Sequence, residues 1–141
     1  MKVATLVIGA CLIAPCADAH ISDASDADLM AWRPRDPREF SETYDGLVAK
    51  ARQAGIPAKR ICFPNYCANT MVWIDTPRIL LLEDVSLKSG LNRQEFCFIS
   101  NALADGKSRR CWTSEGVIVD QTLDSDGWGD VATITENYPK P

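Results

Sequence analysis

Residues 94–114, QEFCFISNALADGKSRRCWTS, decide the fold of this chain. Two β-rich runs flank a polar connection that contains the turn signal Asp105-Gly106. A hairpin folded about this connection places Cys97 directly opposite Cys111, and directly opposed cysteines fall within disulfide reach. The stretch therefore predicts a disulfide-bridged β-hairpin.

The cysteines outside the first 19 residues form an even set, Cys62, Cys67, Cys97 and Cys111. An even number in an oxidising compartment indicates two disulfides, although four cysteines allow three pairings. The hairpin geometry favours Cys97 with Cys111, and Cys62 then closes a short loop with Cys67. A zinc site is disfavoured because the chain has a single histidine.

The N-terminus has the three parts of a secretory signal peptide. Lys2 supplies the positive charge, residues 3–14 form a nearly unbroken apolar run, and Ala17-Asp18-Ala19 is a small-residue cleavage site. A run of twelve residues is too short for a membrane-spanning helix, which needs about 20. We predict a signal peptide over residues 1–19, no membrane span, and a secreted or periplasmic mature protein.

The remaining chain divides into an acidic N-terminal lead, residues 20–36, and a single domain, residues 37–141. The domain opens with an amphipathic helix, for which Asp36 is the N-cap and Pro37 the first residue. Its apolar residues recur at helical spacing, and Gly55 ends it. They are Phe40, Tyr44, Leu47, Val48 and Ala51.

Beyond Gly55 the sequence is rich in β-branched and aromatic residues, interrupted by turn signals. One helix followed by several short strands is typical of an α+β fold. We predict one amphipathic helix packed on an antiparallel sheet of five or six strands, stabilised by the disulfides.

The charge of the chain limits its partners. It has 15 basic and 19 acidic residues, a net charge of −4. Nucleic acids and anionic membranes select clustered basic residues, so neither is an expected partner. A basic protein partner is compatible with this charge.

The sequence holds few candidates for catalysis. His20 is the single histidine, so a serine or cysteine nucleophile has one possible imidazole partner. Carboxylates on or beside predicted strands are Asp75, Glu83, Asp84 and Glu95. Two suitably spaced carboxylates can hydrolyse a glycoside, which leaves a small secreted hydrolase as an alternative function.

The segment 124–130, DSDGWGD, resembles part of a calcium-binding loop. Asp124 and Asp126 match the third and fifth ligand positions of an EF-hand loop, and Gly127 matches the glycine at its sixth position. The carboxylates that such a loop has at its first and last positions are missing here. An Asp/Gly-rich hairpin loop explains the same residues. A calcium-binding module is a second alternative, and no metal ligand is assigned.

The order of elements resembles the VirK family of small exported bacterial proteins. The resemblance rests on four short motifs and spans roughly residues 40–110; Cys111 and the Asp124 loop fall outside it. The motifs are Tyr44-Asp45-Gly46-Leu47, Arg52-Gln53-Ala54-Gly55, Gln94-Glu95-Phe96 and Ala104-Asp105-Gly106. This resemblance implies a periplasmic or secreted accessory protein associated with virulence, and it transfers no catalytic residue.

The leading prediction is an exported, non-catalytic binding protein that acts on a protein partner as an inhibitor, immunity protein or virulence accessory factor. Three aromatic residues in predicted loops, Trp32, Tyr66 and Trp128, are the candidate binding residues. No catalytic residue and no cofactor are predicted, and the sequence leaves the oligomeric state open.

Overall fold

A computed structural model describes residues 20–99 and 105–140 of the chain. The predicted signal peptide, residues 1–19, lies outside the described residues. In chain order the elements are α1 (Asp26–Ala31), α2 (Pro37–Gln53), β1 (Ala58–Phe63), β2 (Tyr66–Asp75), β3 (Arg78–Leu87), β4 (Asn92–Ile99), β5 (Ser108–Thr113), β6 (Ile118–Asp124) and β7 (Gly127–Thr135). The predicted α+β class is confirmed. None of the described helices is long and apolar enough to cross a membrane.

Helix α2 begins and ends where its sequence predicts. Asp36 caps the N-terminus, because its Oδ1 accepts the Glu39 backbone N–H at 2.8 Å. Gly55 follows the last turn with a φ of 79°, a left-handed conformation that favours glycine. Phe40, Tyr44 and Ala51 of the predicted stripe are buried against the sheet.

The sheet has seven strands in the order β1 to β7, each antiparallel to its neighbours in sequence. The predicted count of five or six strands is therefore wrong. The edge strands β1 and β7 both belong to this sheet, and β1 and most of β7 are exposed.

One face of the sheet, here called the helix face, packs against α2. Its central row pairs Met71, Leu82, Phe96, Trp112 and Ile118 across five strands, and all five are buried. The ring centroid of Phe96 lies 5.5 Å from that of Phe40 on α2 and 5.4 Å from that of Trp112. This aromatic stack joins the helix to the sheet.

The opposite face, here called the inner face, is enclosed because the sheet curls. Gly127 at the start of β7 approaches Phe63 at the end of β1 so closely that a Cβ on Gly127 would lie 2.8 Å from the Phe63 ring. The next residue, Trp128, donates its backbone N–H to the Tyr66 hydroxyl at 3.1 Å. Strands at opposite ends of the order thus meet, and Leu81, Val119 and the residues near them are buried.

Both predicted disulfides are present, with the pairing that the hairpin geometry favours. Cys97 and Cys111 are paired across β4 and β5 with Cα atoms 4.1 Å apart. Cys62 and Cys67 join β1 to β2 with Cα atoms 4.0 Å apart. The first bridge lies at the centre of the inner face, where both cysteines are fully buried.

Residues 20–36 are attached to the sheet at several points. Ile21 is buried in the core beside α2. Arg78 at the start of β3 donates to the Asp26 carboxylate at 2.7 Å and to the backbone carbonyls of Ser22 and Ala24. These bonds fix the approach of the segment that carries α1.

Candidate functional site

A cluster of buried polar side chains lies on the inner face. It consists of Glu83, Glu95, Arg109 and Gln121, here called the inner ionic cluster, and each of the four is at most 5% exposed. Glu83 is paired with Glu95 across β3 and β4, whereas Arg109 is paired with Gln121 across β5 and β6. Because the sheet curls, the guanidinium of Arg109 reaches both carboxylates.

Arg109 makes contact with every other member of the cluster. Its Nη1 lies 2.9 Å from Glu83 Oε1 and its Nη2 lies 3.2 Å from Glu95 Oε2. Its Nε donates to Gln121 Oε1 at 2.9 Å. The contact with Glu83 is ionic only, since neither atom has hydrogen-bond geometry there. Arg93 adds a second cation, with Nε 2.9 Å from Glu95 Oε1.

The protonation of Glu95 is strongly affected by this environment. Burial raises its pKa to about 7, and the negative charge of Glu83 acts in the same direction, while Arg109 and Arg93 oppose both effects. Glu95 therefore changes charge near neutral pH, in contrast to a solvated glutamate.

Trp128 and Tyr66 cover one side of the cluster. Cζ of Arg109 lies 4.3 Å from the centre of the Trp128 ring, which is a cation–π contact. A cavity of about 140 Å³ lies here, lined in part by Tyr66, Arg109 and Trp128. Sequence reasoning placed both aromatics in loops, but they lie at the starts of β2 and β7.

The third predicted binding residue, Trp32, lies on the helix face, away from the other two. Its ring centroid is 5.8 Å from that of Phe96, and its carbonyl accepts the Trp112 Nε1–H at 3.0 Å. The structure thus brings Tyr66 and Trp128 together and places Trp32 in the packing of the N-terminal segment.

The four candidate carboxylates separate into three places. Glu83 and Glu95 meet in the inner ionic cluster. Asp75 lies at the end of β2, where its Oδ2 accepts the Ile21 N–H at 2.8 Å and its Oδ1 is 3.3 Å from His20 Nδ1. Asp84 is exposed on the helix face.

The predicted loop at residues 124–130 is wrong over most of its length: Asp124 ends β6, residues 127–130 belong to β7, and only residues 125–126 form a tight turn between them. Asp124 accepts the Asp126 backbone N–H at 2.8 Å, and Asp130 accepts a hydrogen bond from Gln121 at 2.9 Å. Across residues 20–99 and 105–140, the one group of three potential metal-ligating side chains is Glu95, Cys97 and Cys111, and its two sulfurs are in a disulfide.

A second site lies on the helix face, between α2 and one end of the sheet. This space, here called the helix groove, has a volume of about 490 Å³. Asn69, Asp84 and Gln94 form a polar row across β2, β3 and β4, and α2 contributes Tyr44, Asp45, Val48, Ala49 and Arg52. Within residues 20–99 and 105–140, the polar side chains of the groove have no hydrogen-bond or ion-pair partner.

Tyr44 is the most buried polar residue of the groove. Its side chain packs beside Phe40, with ring centroids 6.0 Å apart, and only 6% of the residue is exposed. Burial raises its pKa to about 12, with a smaller effect from the negative charge of Asp84. Sequence reasoning assigned Tyr44 to the core and missed the groove, because the polar row becomes visible only when the strand register is known.

Comparisons with family models, with curated proteins and with solved structures found no match to this chain. The resemblance to the VirK family stays a prediction.

Proposed function

We propose that this protein is an exported, non-catalytic binding protein, and that its helix groove contacts a protein partner. The observation that carries the proposal is a contrast between the two sites. The buried carboxylates of the inner ionic cluster are already paired with Arg109, whereas the polar side chains of the helix groove have no partner among the described residues.

Polar groups that are paired inside the protein stabilise its structure, while polar groups without an internal partner in a concave site are available to a ligand. The inner ionic cluster has the first property through its ion pairs, although Glu83 Oε1 and Arg109 Nη1 make no hydrogen bond. Its members are almost completely buried, and the guanidinium of Arg109 lies against both carboxylates. The helix groove has the second property, and its volume lies in the range of ordinary ligand sites.

Export is supported by the two disulfides. Both are consistent with a periplasmic or extracellular location, where thiols are oxidised. The disulfides also leave no free thiol among the described residues, so a cysteine nucleophile has no support there.

A secreted hydrolase is the second candidate, and one observation favours it. A glutamic acid with a pKa of about 7 beside a second carboxylate is the arrangement of a general acid and its partner. Access argues against it, because Glu95 is 2% exposed and the adjoining cavity measures about 140 Å³. We therefore prefer the structural role for this pair.

Site-specific photo-crosslinking in the producing cell tests the proposed function. Asn69→benzoylphenylalanine places the probe in the helix groove, and Thr122→benzoylphenylalanine is the matched control, since both are exposed strand residues. We expect a discrete protein adduct from position 69 that is absent at position 122. The same adducts at both positions, or none at position 69, would overturn the proposal.

A further inference from the structure

We infer that the helix groove recognises one cationic side chain, a lysine or an arginine, on an exposed segment of the protein partner. The inference rests on the proposed function, because it assumes that the groove is a binding site. It adds the chemistry of the group that is bound.

The charges of the groove favour a cation. Asp45 and Asp84 contribute two carboxylates and Arg52 contributes one guanidinium. None of these three side chains has an ion-pair partner within residues 20–99 or 105–140. The lining of the groove therefore carries one excess negative charge. Arg60 is paired with Asn69 and stands at the outer end of the same row, exposed and outside that lining. The acidic balance of the whole chain, −4, attracts the same kind of partner.

Tyr44 is an observation independent of the acidic residues. It is more than nine-tenths buried, it lines the groove, and its hydroxyl has no hydrogen-bond partner among the described residues. A phenolic oxygen can accept a hydrogen bond as well as donate one. The hydroxyl is not among the fully buried atoms that lack a partner, so it is open to the groove and a ligand with N–H donors can reach it.

The remaining polar groups supply acceptors at the same place. Asn69 and Gln94 flank Asp84 in the row across the strands, and each has an amide oxygen. A guanidinium carries five N–H donors and an ammonium carries three, and neither accepts a hydrogen bond. The oxygen atoms of this row and of Tyr44 together offer several hydrogen-bond acceptors to the N–H donors of one cationic side chain.

Arg52 limits the ligand to a single cation. It lies seven residues after Asp45 on α2, roughly 10 Å along the helix axis. Its unpaired charge repels a second basic side chain at that end of the groove. We therefore expect the site to prefer an isolated basic residue to a polybasic segment.

The first test titrates the full mature protein with the peptide acetyl-Gly-Arg-Gly-amide and records amide chemical shifts by NMR. Acetyl-Gly-citrulline-Gly-amide is the matched probe, because citrulline keeps the shape of arginine without its charge. We expect saturable shifts around Asp45, Asp84 and Gln94 with the arginine peptide and at least about threefold weaker binding of the citrulline peptide. Equal binding of the two peptides, or shifts confined to other surfaces, would overturn the inference.

Variants locate the site. Asp84→Asn and Asp45→Asn should each weaken binding of the arginine peptide by roughly three- to tenfold, and added salt should reduce the difference. Asp23→Asn is the matched control, an exposed aspartate outside the groove, and should leave binding unchanged. An equal loss in all three variants would indicate general charge attraction and contradict a site.

The two proposals fail separately. If position 69 crosslinks a partner but the arginine peptide does not bind the groove, the cation inference is wrong and the binding function stands. If the arginine peptide binds the groove but no partner is crosslinked from it, the proposed function is wrong.

Discussion

Glu83 and Glu95 face each other across β3 and β4, and both are buried on the inner face of the sheet. Two adjacent carboxylates in such a place repel each other and lose their hydration. Arg109 lies on β5, and its guanidinium contacts both carboxylates because the sheet curls. The inner ionic cluster thus joins β5 to both β3 and β4.

Removing Arg109 should destabilise the protein strongly. Arg109→Ala leaves two buried carboxylates without their shared cation, and we expect a loss of about 3–5 kcal/mol in the free energy of unfolding. Urea denaturation measures it. The neighbouring Arg110→Ala is the control: its pair with Asp120 is partly exposed, so a loss of about 1 kcal/mol or less is expected. Similar losses in both variants would contradict the structural role of the cluster.

The stability should depend on pH through Glu95. Its pKa is raised from 4.5 to about 7 on folding, so between these values the folded state binds the proton more tightly than the unfolded state. The contribution of Glu95 to stability is therefore fully present below pH 4.5 and is lost as the pH rises to about 7.

Glu95→Gln isolates this dependence, because glutamine has the shape of the protonated acid and does not titrate. The free energy of unfolding of the unmodified protein, minus that of the variant, should fall as the pH rises from 4.5 to about 7 and stay level above it. Urea denaturation across this range measures the difference. A difference that rises over the same range would show that the pKa of Glu95 is lowered on folding.

The two disulfides should differ in their effect on stability. The Cys97–Cys111 bridge joins residues 14 apart, whereas Cys62–Cys67 joins residues 5 apart. Replacing both cysteines of the longer bridge by alanine should cost about 3 kcal/mol, and the shorter bridge should cost less, because a longer loop loses more entropy on closure. Urea midpoints of the two double variants test this order, and the reverse order would contradict it.

Arg78 should hold the N-terminal segment to the sheet. Arg78→Ala removes its bonds to Asp26, Ser22 and Ala24, so limited proteolysis should cut within residues 20–36 faster while the sheet persists. Arg60→Ala, at an exposed position of β1, is the control and should leave the cutting rate unchanged. Faster cutting in both variants, or in neither, would show that Arg78 is not the attachment.

Local sequence signals predicted the parts of the fold that depend on nearby residues. The Asp36 cap, the apolar stripe of α2 and the register of Cys97 with Cys111 all follow from spacing within a short segment. The inner ionic cluster does not. Glu83 and Arg109 are 26 positions apart in the sequence, and each, taken alone, is typical of a solvated strand residue.

The helix groove was not predicted from the sequence, for a related reason. Asn69, Asp84 and Gln94 belong to three strands, and only the pairing of β2 with β3 and of β3 with β4 places them in one row. Signals that arise from tertiary pairing have no counterpart in a local window of sequence.

The strand order also has a consequence for how the chain folds. Every strand pairs with its neighbour in sequence, so the sheet can grow one hairpin at a time from short loops. The contact of Trp128 with Tyr66 joins residues 62 positions apart and belongs to none of these hairpins. We expect this contact to form late, so weakening it by Tyr66→Phe should speed unfolding and leave the folding rate almost unchanged.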